Sequence, residues 1–203
     1  NENKNEPEQA SKIVSPGSAK PQLIVGIGAS AGGLEAFKTF FSHMPVDSEM
    51  AFVLVQHLAP DHISLLSELV GRSTTMPVVD AVDGMQVVQR HVYVIPPNAT
   101  LCIVDGVLQV IKPAPARQLR FPMDTFFKSL AEDQGDCAVC VVLADPGSDG
   151  SRGLHAIQVH GGLTLTPAEI DPVAMSGRPI AAVAPAQVED VRTAVAVPAR
   201  LQA

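Results

Sequence analysis

The chain has 203 residues, of which 46% are hydrophobic, 17% charged and only 4% aromatic, with no Trp; that is room for one α/β domain with a sizeable core and a short tail. A formal net charge of −7 with scattered Lys and Arg argues against a nucleic-acid binder or an anionic membrane surface as partner, since both need a basic stripe. No apolar run reaches the ~18 residues of a membrane span, and no signal peptide opens the chain.

Residues 1–20 are polar and almost without apolar periodicity, so they are expected to form a disordered tail or linker, with 21–203 as a single domain. The chain does not open with Met and reads as a piece of something longer. Residues 23–28 form a continuous apolar run suited to a doubly buried strand. Gly32-Gly33 then opens a helix over 34–43, with Leu34, Phe37, Phe40 and Phe41 apolar. A second buried strand is predicted over 51–57. Asp61 can cap a helix running to about Arg72, with Ile63, Leu66 and Val70 on one face. Residues 91–95, 100–104 and 107–111 are short, and Asp105-Gly106 is a hairpin signal; together they read as an antiparallel appendage. A helix over 124–134 precedes a third buried strand over 137–144. A Gly-rich loop, 146–150, leads into a helix to about His160. Residues 163–165 read as a strand, and 188–197 as a short strand or helix.

This alternation predicts an α/β fold, a three-layer doubly wound, mainly parallel sheet with an antiparallel hairpin appendage. Its ligand crevice is expected beyond the carboxyl ends of the strands. Cys137 and Cys140 have CxxC spacing but lie in a strand-like run, where residues three apart face opposite sides and cannot share a metal or a redox role. With three cysteines in all, a reducing, cytoplasmic setting fits.

Ser30 follows the first strand, His57 ends the second and Asp149 lies in the loop after the third. A Ser hydroxyl needs a base to become a nucleophile, His is that base near neutral pH, and a carboxylate orients the ring. Gly28-Ala29-Ser30-Ala31-Gly32 has the G-x-S-x-G form of a strand-to-helix nucleophile turn. Each residue also has a plainer reading: Ser30 as a helix cap, His57 as a strand-end residue, Asp149 as a turn or cap. Gly26-x-Gly28-x-x-Ala31 also resembles a dinucleotide-binding turn, but Gln56 and His57 stand where that site needs an acidic residue.

Several spaced motifs then occur in one order: residues 25–33 around Ser30, Val55-Gln56-His57, Val92-Tyr93-Val94-Ile95-Pro96-Pro97, Arg120-x-Pro122-x-Asp124 and Gly147-Ser148-Asp149-Gly150. From about Gln22 to Leu165 the chain resembles the catalytic domain of the bacterial chemotaxis protein-glutamate methylesterases (the CheB family). It is most similar to the form found in methylesterase–methyltransferase hybrid signalling proteins. The resemblance implies hydrolysis of methyl-glutamate esters on chemoreceptor cytoplasmic helices, with glutamine deamidation in some members, and a catalytic trio at Ser30, His57 and Asp149. It implies no metal or organic cofactor, and methyltransferase or sensor domains as neighbours in the longer protein. Residues 1–20 are too few for a regulatory receiver domain, so phosphorylation control is expected from elsewhere or not in this piece.

The chain departs from the family pattern in three places. Ala31 stands where many members have Thr. Ala144-Asp145-Pro146-Gly147 replaces a Ser/Thr-Gly-Met/Thr-Gly loop, and Met175-Ser176-Gly177-Arg178-Pro179 only echoes a Gly-Met-Pro-Arg segment. Ala31, Gly147 and Pro146 are the oxyanion-loop candidates, yet Pro146 has no N–H to donate, and a lost oxyanion donor costs about 10²–10³ in rate. The alternative reading is therefore a catalytically weakened signalling module that binds receptor helices or a partner domain.

Overall fold

The computed structural model describes residues 21–29, 33–45, 48–56, 65–112, 121–144, 149–166 and 190–191. In chain order these form β1 (Ile24–Ala29), α1 (Leu34–His43), β2 (Ala51–Gln56), α2 (Leu66–Gly71), β3 (Val78–Asp80), β4 (Met85–Gln86) and β5 (Val92–Val94). There follow β6 (Thr100–Val104), β7 (Val107–Ile111), α3 (Pro122–Gln134), β8 (Ala138–Ala144), α4 (Ser151–Val159), β9 (Leu163–Thr166) and β10 (Asp190–Val191). One sheet runs β10-β9-β8-β1-β2-β5-β3, and every pairing in it is parallel. A smaller antiparallel sheet runs β4-β7-β6.

Alternation along the strands sorts the core into two faces. Val25 and Ile27 of β1 and Val139, Val141 and Leu143 of β8 pack with Phe37, Phe40 and Phe41 of α1 and with Leu66 and Val70 of α2. Ile24, Cys140 and Val142 face the other way, against Phe126, Phe127 and Leu130 of α3, Leu154 and Ile157 of α4, and Leu101, Ile103 and Leu108 of the small sheet. A strand covered on both faces must be apolar along its covered length, which is why residues 24–29 and 51–55 carry no polar alternation. The α1 layer is sealed by edge-to-face contacts among Phe40, Phe41 and Phe52 at centroid separations of 5.1–6.0 Å.

Several elements differ from expectation. Residues 92–94 are not part of the appendage: β5 lies in the main sheet, parallel to both β2 and β3. Its three residues are all buried, and such a short run has no length to signal parallel or antiparallel pairing. The partner of β7 on that side is instead β4, two residues long and with no legible pattern. β3, three half-exposed or exposed residues, was not predicted for the same reason. Cys137 belongs to a 3₁₀ turn, Gly135–Cys137, and not to β8, whereas Cys140 is buried in the strand. The third helix begins at Pro122 rather than Asp124, since a proline is at home in a first helical turn where no N–H is needed. Of the helix predicted from Asp61, the part from Leu66 is seen, while Asp61 and Ile63 lie outside the described residues, as do most of 188–197.

The hairpin signal holds. Asp105 and Gly106 have φ of +52° and +71°, the left-handed pair of a two-residue turn. Both N–H groups donate to the Asp133 carboxylate of α3, at 2.5 and 3.0 Å. Tyr93 ties β5 to the small sheet: its hydroxyl accepts from Val88 N–H and donates to Gln86 O, at 3.0 and 3.2 Å.

Phe127 sits where α3, α4 and the main sheet meet. A Cβ built on Gly153 of α4 would fall 2.5 Å from the Phe127 Cβ, and one on Gly26 of β1 would fall 2.9 Å from Phe127 Cε1. The Gly153 contact is with an atom attached to the α3 backbone, so the helices themselves would have to part. Gly153→Ala is therefore expected to destabilise the domain by about 1–3 kcal/mol, the usual cost of overpacking, although alanine is the better helix former. A urea midpoint unchanged or raised in that variant would refute the close approach.

Candidate functional site

The strand order reverses at β1: the chain first builds β2, β5 and β3 on one side, then returns to place β8 on the other. In open parallel sheets the crevice at such a reversal holds the ligand. The carboxyl ends of the three central strands stand level here. Ala29, last in β1, is opposite Gln56, last in β2, and Ala144, last in β8. A register shift between Gly28 and Ala29 against β8 brings the third end into line.

Asp149 lies just before α4 and is buried, 7% exposed. Its Oδ2 accepts from Met123 N–H at 3.0 Å, and its Oδ1 accepts from Asp124 N–H and Gly150 N–H, both at 2.9 Å. Met123 and Asp124 are in the first turn of α3, whose N–H groups have no partner within their own helix and where the helix dipole favours a negative charge. These three donors fix both carboxylate oxygens in place. Gly150 takes φ +92°, a conformation that turns the chain sharply from Asp149 into α4 and that glycine adopts without strain.

The converse contact was not foreseen. Asp124 Oδ1 accepts from Gly153 N–H at 2.8 Å, so two aspartates each satisfy the amino end of the other's helix. The sequence signal was the acidic residue just after Pro122, a helix-start pattern; which helix its carboxylate would serve could not be read from it. Burial pushes the Asp124 carboxyl above the ordinary aspartate value, against the pull of hydrogen bonds from Gly153, Arg152 and Gly150 and of the Arg152 charge. The folded chain therefore holds that proton more tightly than the unfolded chain. Its contribution to stability is present below the ordinary value of about 3.9 and is lost as pH rises through the raised folded value. Asp124→Asn, which cannot titrate, is expected to remove this part of the pH dependence. Melting temperatures of both proteins from acid to neutral pH, giving curves of unchanged separation, would contradict it.

Beneath this pair lies Cys140, whose thiol is pushed well up by burial and then by the Asp124 charge. A thiol kept protonated is a poor nucleophile and metal ligand, which fits its place in the core.

Of the other sequence-selected residues, Ser30, Ala31, His57, Pro146 and Gly147 lie outside the described residues. Their described neighbours are Ala29, Gln56 and Ala144, the three strand ends above. Three further histidines are held locally: Nδ1–H of His43, His91 and His160 donates to Thr39 O, Gln89 O and Ala156 O, and His155 is exposed on α4. Gly26 admits Phe127, and Gly28 lies against Met123 and Phe127. The glycine spacing that resembled a dinucleotide turn is thus used for helix–sheet packing. Among the described residues, no cluster of His, Cys, Asp and Glu could hold a metal ion, and no helix is long and apolar enough to cross a membrane.

Comparison with known proteins agrees with this architecture. The CheB methylesterase family model matches residues 25–201. The "Protein-glutamate methylesterase/protein-glutamine glutaminase 2" of Xanthomonas oryzae pv. oryzae is 34% identical over 166 residues, 78% of this chain and 46% of that protein. The corresponding protein of Photorhabdus laumondii is 34% identical over 184 residues, 87% of this chain and 52% of its own length. This chain thus spans about half the length of the curated relatives it matches. The crystal structure of the Thermotoga maritima CheB methylesterase catalytic domain shares the fold, with a TM-score of 0.73 over 88% of this chain and 96% of that one at 22% identity. The chain belongs to the CheB methylesterase family.

Proposed function

We propose that this domain is a serine protein-glutamate methylesterase, with Ser30 as nucleophile, His57 as general base and Asp149 as the carboxylate that orients His57. The level carboxyl ends of β1, β2 and β8 carry the reading, because Ser30 and His57 directly follow two of those ends and Asp149 closes the loop after the third. The backbone N–H groups on Asp149 support its role, since an orienting carboxylate must itself be held.

In this mechanism His57 removes the Ser30 proton as Oγ attacks the ester carbonyl of a methyl-glutamate. The protonated His57 then gives that proton to the departing methoxide, releasing methanol and leaving an acyl-serine. Water, deprotonated by His57, hydrolyses the acyl-serine to free glutamate and Ser30. The proposed substrates are methylated cytoplasmic helices of chemoreceptors, with glutamine side chains as a second class hydrolysed to ammonia. The setting is the cytoplasm, in a longer protein with methyltransferase or sensor domains.

The test is methanol release from methylated receptor fragments by the wild-type domain and by Ser30→Ala. One sequence feature favours a second reading: Pro146 has no N–H, and Asp145 adds a negative charge beside it. A folded wild-type domain that releases no methanol, but does so after Asp145→Gly with Pro146→Met, would identify a weakened signalling module.

A further inference from the structure

We infer that Asp124 is a positioning residue for the esterase site, its carboxylate fixing the amino end of α4 and with it the turn that carries Asp149. The inference rests on the proposed role of Asp149.

The two aspartates form a reciprocal clasp. The Asp149 carboxylate accepts from the backbone N–H groups of Met123 and Asp124 at the start of α3, while the Asp124 carboxylate accepts from Gly153 N–H in the first turn of α4. Residues 149 to 153 are thus held at both ends: at Asp149 through α3's backbone and at Gly153 through α3's side chain. Between those ends Gly150 sits at φ +92°, in the residue that resists rotation least, and the Gly150 and Arg152 N–H groups also bond to the Asp124 carboxylate. Without the Asp124 carboxylate the start of α4 loses this tether and the Asp149 backbone can shift relative to α3, while its carboxylate stays tied to Met123 and Asp124 N–H, which changes the carboxylate's aim. A displacement on the order of 1 Å in a catalytic group costs about 10²-fold in rate.

Asp124→Ala is expected to lower kcat ten- to a hundredfold, with KM changed less than about threefold. The acid limb of kcat/KM should also move to lower pH, because an imidazolium whose carboxylate is displaced gives up its proton more readily. Asp124→Asn keeps an oxygen for Gly153 N–H but loses the charge that strengthens the bond, so it should give a smaller change of the same kind. Added to Asp149→Ala, the Asp124→Ala change should cost almost nothing more, since the group it positions is gone.

A purely structural role would lower melting temperature while leaving the acid limb in place and adding fully to Asp149→Ala. That result overturns the inference, as does wild-type kcat in folded Asp124→Ala. If Asp124→Ala does not fold, wild-type kcat and acid limb in folded Asp124→Asn overturn it equally. Methanol release that survives Ser30→Ala would instead defeat the underlying triad. Loss in Ser30→Ala and Asp149→Ala together with full activity in the Asp124 variants would defeat only this inference.

Discussion

The Ser30→Ala domain is expected to release no methanol above background, a fall of up to about 10⁶ in kcat, because triad members act as one unit and nothing replaces a missing nucleophile. Asp149→Ala should fall less, by about 10⁴, since a histidine that has lost its orienting carboxylate still has some productive tautomer and position. The double variant should be no slower than Ser30→Ala alone. Asp149→Ala has a second consequence that Ser30→Ala lacks. It removes the acceptor for three backbone N–H groups, those of Met123, Asp124 and Gly150, at a buried position. Stranding such donors costs about 1–3 kcal/mol each where water cannot replace the bond. The variant should therefore unfold at visibly lower urea concentration as well as turn over slowly. Substrate binding should survive in Ser30→Ala, so retained binding with lost methanol release separates chemistry from folding. Methanol release at the wild-type rate by either single variant would remove that residue from the mechanism.

Phe127→Ala is expected to cost about 3–5 kcal/mol of stability, a large share of the 5–15 kcal/mol typical of a domain. The ring is completely buried and stacks edge-on to Phe126 at 6.2 Å. Its neighbours make the loss hard to repair. Gly26, Gly28 and Gly153 surround it, and glycines have no side chain with which to fill a cavity. The hole should stay open and the penalty should lie toward the upper end of that range. Equilibrium urea denaturation measures it directly, and a change below about 1.5 kcal/mol, the usual ceiling for well-tolerated core swaps, would show that the site collapses. Because Phe127 also underlies Gly150, activity in the folded fraction should drop too, whereas an ordinary core truncation far from the strand ends would leave it intact.

The local chemistry of this chain was legible in its residues. Unbroken apolar runs marked β1, β2 and β8 as doubly buried strands, because only such strands can dispense with polar alternation. Helical periodicity placed α1 at Leu34–His43, and Asp105-Gly106 announced its turn because few residue pairs accept two positive φ values. From that alternation followed a parallel sheet and the edge on which a site must lie. The spaced motifs around Ser30, His57 and Asp149 pointed to the family, since each is a short run whose meaning lies in its own residues.

Tertiary structure alone decided what depended on neighbours distant in the chain. Val92–Val94 could not declare from three residues whether it would join the main sheet or the hairpin; the partners β2 and β3 settled it. Gly26 and Gly28 lacked the acidic partner of a phosphate-cradling turn, but that did not reveal what they admit, a ring that belongs to Phe127, a hundred residues away. Asp149 preceded a helix and so resembled its cap, yet it caps a different one, while Asp124 returns the contact. A carboxylate's local sequence shows that it can accept N–H groups, but only the packing of α3 against α4 determines whose N–H groups arrive.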